Sequence, residues 1–151
     1  MTLQTVLMAV SKGDTERSEK LVETATEIAK PAGATVALAH VFRDDEYESV
    51  RDDLGFEKDS EVTPSVVAKR YAPIRELLDR LEAEGVDCDI HGSLGDGSVG
   101  ERIVELARDV DADLIIVGGR KRSPAGKAAF GSTAQEVMLN ADCPVTFVRN
   151  D

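Results

Sequence analysis

Five short runs of Val, Ile, Leu and Ala alternate along this chain with longer stretches whose apolar residues recur every three to four positions. The short runs are Thr5 to Val10, Thr35 to Phe42, Val86 to His91, Leu114 to Val117 and Cys143 to Val148. Continuous or alternating apolar residues over such lengths read as strands, and the recurring pattern between them reads as helix. Leu21, Ala25, Ile28 and Ala29 share one helical face; Ile74, Leu77, Leu78 and Leu81 share another, and Val99, Ile103, Leu106, Ala107 and Val110 a third. Strands joined by helices must run parallel with right-handed crossovers. The pattern therefore predicts the α/β class, as a doubly wound five-stranded parallel sheet with helices on both faces.

Punctuation supports the pattern. Gly33 and Gly85 stand where helices end, and Ser98 with Glu101 three residues on is a capping-box pair. Pro64 and Pro73 bracket a further helical stretch. Val86 to His91 alternates between apolar and polar residues, which predicts a strand at a sheet edge. Gly92 to Gly97 reads as a turn-rich loop, and a long loop is expected from Gly118 to about Phe130. Residues 43–62 are rich in Asp and Glu with weak periodicity, and are expected to form an acidic variable surface loop. One domain over 1–151 accommodates everything.

Asp and Glu outnumber Lys and Arg by 29 to 18, for a net charge of −11. Such a chain repels nucleic acid and anionic membrane, and neither is expected as a partner. A solvated acidic coat of this kind suits a high-salt cytoplasm or an ordinary acidic protein equally. No apolar run approaches the roughly 20 residues of a membrane helix. The N-terminus enters a strand without a basic segment, so no signal peptide is expected. Cys88 and Cys143 lie far apart in apolar runs, which predicts buried thiols in a reducing cytoplasm and no metal site.

Against this acidic background, no acid occurs from Leu114 to Gln135, where Arg120, Lys121, Arg122 and Lys127 are found. Gly118, Gly119 and Gly126 permit close backbone approach. Gly131-Ser132-Thr133 then starts a helix, and so brings free N–H groups, hydroxyls and the positive helix end together. These are the components of a phosphate site. The alternative is a plain helix cap by Ser132 or Thr133 with solvated basic residues.

These residues resemble the closing signature of the universal stress protein (UspA-type) family: glycine, two residues, glycine, nine residues, then glycine with Ser or Thr. Gly118 and the Gly131-Ser132 pair match it; the second glycine falls on Lys121. VLMAV at the start, His40-Val41, Gly95-Asp96, ADLIIVG and CPVTFV fit the same family. The resemblance implies the strand order 3-2-1-4-5 of the adenine nucleotide α-hydrolase-like folds, and a stress-response protein that binds ATP, with or without Mg²⁺. It implies nucleotide contacts from Ala9, Ser11, Val41, Gly118, Arg120, Lys121, Gly131, Ser132 and Thr133, with Val41 at the adenine. Ser11 stands where the family usually has Asp. It further implies a homodimer paired through the last strand, 143–149.

Two other classes stay open. A dimeric adaptor of the same fold needs no nucleotide. An enzyme of the ATP pyrophosphatase type is suggested faintly by Ser11-Lys12-Gly13-Asp14-Thr15, although Asp14 or Thr15 as a helix cap explains that stretch more simply. A receiver domain is discounted, because Ser11 and Gly92 occupy places that need acids. With two histidines, His40 read as a hydrogen-bonded framework residue and His91 as solvated, no general base is evident. No enzyme is therefore expected, beyond very slow ATP hydrolysis.

Overall fold

The computed structural model describes residues 2–11, 14, 17–57, 61–95, 97–119 and 131–149. The apolar runs form the strands β1 (Thr5–Ala9), β2 (Thr35–Phe42), β3 (Cys88–Leu94), β4 (Leu114–Gly119) and β5 (Val145–Arg149). Among the described residues they make one sheet, in the order β3-β2-β1-β4-β5, with every pairing parallel. The expected order holds, and β3 lies at an edge.

Side chains alternate across the strands and so build two cores. Val6, Met8, Val36, Leu38 and Ile116 face one side, where α1 (Ser18–Ala32), α3 (Pro64–Arg70) and α4 (Ala72–Ala83) cover them. Leu7, Ala39, Ile115 and Val117 face the other, under α5 (Val99–Asp109) and α6 (Ser132–Asn140). Leu21, Ala25 and Ala29 of α1, and Ile74, Leu77 and Leu81 of α4, are buried as their spacing requires. Gly33 terminates α1 in the left-handed conformation at φ 67°, with its N–H on the carbonyls of Ala29 and Lys30. Ser98 caps α5 by accepting the N–H of Glu101 at 3.1 Å. The Ser98 hydroxyl in turn donates to Glu136 of α6, so the cap also ties two helices together.

The structure departs from the expected plan in five places. Residues 43–62 are no plain loop, because α2 (Asp44–Asp53) occupies half of them. Asp44, Asp45 and Glu46 sit in its first turn, where the positive helix end favours acids. The Tyr47 hydroxyl ties it to the Val62 carbonyl at 3.0 Å. The stretch between the two prolines splits into α3 and α4, with Tyr71 extended between them. Pro73 lacks the N–H that a continuous helix would need there.

β3 runs on through Gly92 to Leu94, where a turn was expected. Gly92, Ser93 and Leu94 lie opposite His40, Val41 and Phe42, so pairing with β2 overrides the local preference of glycine for turns. Likewise Gly118 and Gly119 are strand residues, paired with Val148 and Arg149. Cys88 and Cys143 are free and half-buried rather than enclosed. Burial, with Glu82, Asp87 and Asp89 nearby, pushes the Cys88 thiol up to about 11. Among the described residues no helix is long and apolar enough to cross a membrane.

Candidate functional site

β1 pairs with β2 on one side and β4 on the other, so the chain changes direction across the sheet at β1. Ligands of such sheets bind in the crevice beyond the carboxyl ends of the strands at that point. A cavity of about 530 Å³ lies there. Small-molecule sites run roughly 300–1,000 Å³.

Seven of the nine residues expected at the site line this cavity. They are Ala9 and Ser11 after β1, Val41 in β2, Gly118 in β4, and Gly131, Ser132 and Thr133 at the start of α6. Arg120 and Lys121 lie outside the described residues. Val41 is held in place by the turn after β3. The Gly95 N–H donates to the Phe42 carbonyl at 2.8 Å, and a Cβ on Gly95 would meet Val41 Cγ1 at 2.7 Å.

The start of α6 answers the question of capping. Its N-cap is Gly131, at φ −59° and ψ 158°, and no side-chain hydrogen bond caps it among the described residues. Ser132 and Thr133 are therefore first-turn residues rather than caps. Their N–H groups carry the partial positive charge of the helix end toward the cavity. α6 is set close against α5 at Gly100, where a Cβ would stand 2.5 Å from that of Glu136 and 3.1 Å from the Thr133 carbonyl.

Three buried polar residues of the cavity were not expected as site residues. Asp14 does not cap α1, whose N-cap is Arg17 without a side-chain bond. Instead Asp14 accepts the Ser11 N–H at 2.7 Å and pairs with the Arg17 guanidinium. Both are enclosed, at 2 % and 9 % exposure. Gly118 makes this possible, since a Cβ there would lie 2.6 Å from Asp14 Oδ1 and 2.9 Å from Arg17 Cδ. In sequence the only signal was an Asp and an Arg three residues apart, which usually marks a solvated pair.

The third is His40, 5 % exposed and a framework residue as expected. Its Nδ1 donates to the Val10 carbonyl at 2.6 Å, and its Nε2 lies 3.1 Å from Glu46 Oε1 on α2. Its ring packs on Phe42 and Tyr71 at 4.5 and 4.6 Å. Burial, reinforced by Glu46, pushes the Tyr71 hydroxyl up to about 12.

The hydrogen bond with His40 holds the Glu46 carboxyl below its ordinary 4.5, against an opposing effect of burial. A lowered folded-state pKa gives stability that is present above the unfolded value and lost as pH falls through the folded one. Melting temperatures of the parent and Glu46→Gln should therefore differ at pH 7 and converge below pH 4.5. A gap that stays constant down to pH 3 would refute the His40–Glu46 contribution. Among the described residues no group of three or more His, Cys, Asp or Glu could hold a metal ion.

Comparison with known proteins agrees with this arrangement. The profile of the universal stress protein family matches residues 2–149. The chain is 30 % identical to the stress response protein NhaX of Bacillus subtilis, over 89 % of this chain and 92 % of that protein. It is also 30 % identical to a universal stress protein of Thermus aquaticus, covering 97 % and 98 %. A universal stress protein from Archaeoglobus fulgidus superposes with a TM-score of 0.72 at 27 % identity, over 96 % and 98 % of the two chains. A universal stress protein crystallised in complex with cAMP superposes at 0.68 and 25 % identity, over 100 % of both. On its sequence, its strand order and these relatives, the chain belongs to the universal stress protein family.

Proposed function

We propose that this protein binds an adenine nucleotide, ATP included, in the cavity at the β1–β4 crossing and acts as a regulator through its bound state. The uncapped start of α6, opening on the same cavity as Gly118 and Val41, carries the reading. Val41 offers an apolar wall to a base, and the α6 amides offer donors to phosphate. The relative crystallised with cAMP spans the whole chain and supports the ligand class. Any Mg²⁺ would arrive on the ATP phosphates, its usual partners.

Binding rather than turnover fits the cavity's chemistry. Backbone amides and basic side chains hold a phosphate without activating a nucleophile. His40, the histidine of the cavity, spends both ring nitrogens on Val10 and Glu46. Calorimetric titration of AMP, and of ATP with and without Mg²⁺, tests the reading in low salt and in molar KCl. Micromolar binding supports it. No heat with any nucleotide in either salt would overturn it and leave the adaptor role.

We further propose that two copies pair through residues 143–149, in the cytoplasm. Among the described residues β5 is the last strand of the sheet, beside β4, and a sheet edge is a template for a second strand. Free thiols suit a reducing compartment. Thr146→Lys places like charges near one another across such a pair and should shift the mass in light scattering from dimer to monomer. A dimer that survives the substitution unchanged would argue against β5 as the interface.

A further inference from the structure

The Asp14–Arg17 pair does more than fill space. Arg17 lines the cavity and is 9 % exposed, yet its Nε has no hydrogen-bond partner among the described residues. A buried donor left unsatisfied is costly, and native proteins seldom tolerate one without a use for it. Its Nη1 is committed to Asp14 Oδ1. Asp14 is fixed in turn by the Ser11 N–H. The carboxylate therefore clamps Nη1 of a planar guanidinium, and among the described residues Nε has no partner. The Nε side of a guanidinium is the one that takes two oxygens of a phosphate side by side.

The position suits that role. Arg17 Nη1 lies 3.5 Å from where a Gly118 Cβ would stand, and Gly118 shares the cavity with the α6 start. The absent side chain at Gly118 leaves room for the guanidinium at the wall of the cavity. Among the described residues the pair leaves one buried donor, Nε, without a partner. An anion completes it.

We infer that Arg17 is a phosphate-reading residue of this site, selecting nucleotides over nucleosides by donating Nε–H to a phosphate oxygen. The inference rests on the nucleotide reading above and names a residue for its phosphate selectivity. It also gives Asp14 a positioning role, because that carboxylate orients the fork.

Titration of adenosine and of AMP into the parent, Arg17→Lys and Arg17→Gln tests it, with melting temperatures to confirm folding. Lysine keeps the charge beside Asp14 and loses the fork. AMP affinity should fall about 10-fold in Arg17→Lys and up to about 100-fold in Arg17→Gln, while adenosine affinity stays within about twofold. Should Arg17→Gln fail to fold, because it leaves the Asp14 carboxylate alone in the interior, Arg17→Lys decides. Equal losses for adenosine and AMP would make Arg17 merely structural and overturn the inference. So would an AMP affinity that does not change. A parent that binds neither ligand defeats the nucleotide reading itself, and this inference with it; a parent that binds both equally defeats the inference alone.

Discussion

Gly92→Ala is expected to lower the free energy of unfolding by about 3 kcal/mol, the upper part of the range for overpacking a close-packed site. The added Cβ would stand 2.2 Å from the Pro64 carbonyl oxygen and 2.6 Å from its carbon. Both are backbone atoms at the start of α3, so no side chain can rotate out of the way. Relief requires α3 to lift from β3. Lifting it breaks the bond from the Gly92 N–H to Ser65 Oγ at 3.0 Å and uncovers Val67 and Ala68, which are fully buried. Urea unfolding followed by circular dichroism measures the cost. Gly131→Ala is the control, because among the described residues nothing lies within 4 Å of the position its Cβ would take. A loss under about 1 kcal/mol would mean that α3 rides outward freely, and that the tight packing on β3 contributes little.

Gly131→Val is expected to weaken nucleotide binding at least about 100-fold while leaving the fold intact, as expected when two or more amide contacts to a charged phosphate are lost. At φ −59° and ψ 158° the backbone of Gly131 suits any L-residue, and among the described residues nothing lies within 4 Å of the place its Cβ would take. A valine there therefore meets no described residue in the free protein. It does place two methyl groups at the mouth of the amide cluster formed by the first turn of α6. Calorimetry with ATP reads the loss, and an unchanged melting temperature shows that the fold was spared. Affinity within tenfold of the parent would move the phosphates away from α6 and overturn this assignment.

What could be read in advance divides along physical lines. The five strands and the main helices were legible because their burial is written in the spacing of Leu21, Ala25, Ile74, Leu77, Ile103 and their like. Strand order followed from family resemblance. That Gly118, Gly131, Ser132 and Thr133 line a cavity was legible because glycines and helix starts carry their meaning locally, whereas Ala9, Ser11 and Val41 were placed there by the family resemblance. Three features were not. α2 buries only Tyr47, so it shows almost no apolar period. Gly92 to Leu94 look like a turn, and only the neighbouring β2 makes them a strand. The Asp14–Arg17 pair is buried by the missing side chain of Gly118, about a hundred residues away, and no local pattern announces such a contact.

α2 separates two tasks within the molecule. One wall of the cavity, Asp45 and Glu46, stands on a helix that contributes one buried residue to the core. The sheet and its other helices carry the weight of the fold without it. Its attachment runs through a few named contacts, from Glu46 to His40 and from Tyr47 to Val62. Substitution of Asp45, which lines the cavity and takes no part in those contacts, therefore alters the cavity wall and leaves the scaffold beneath as it is.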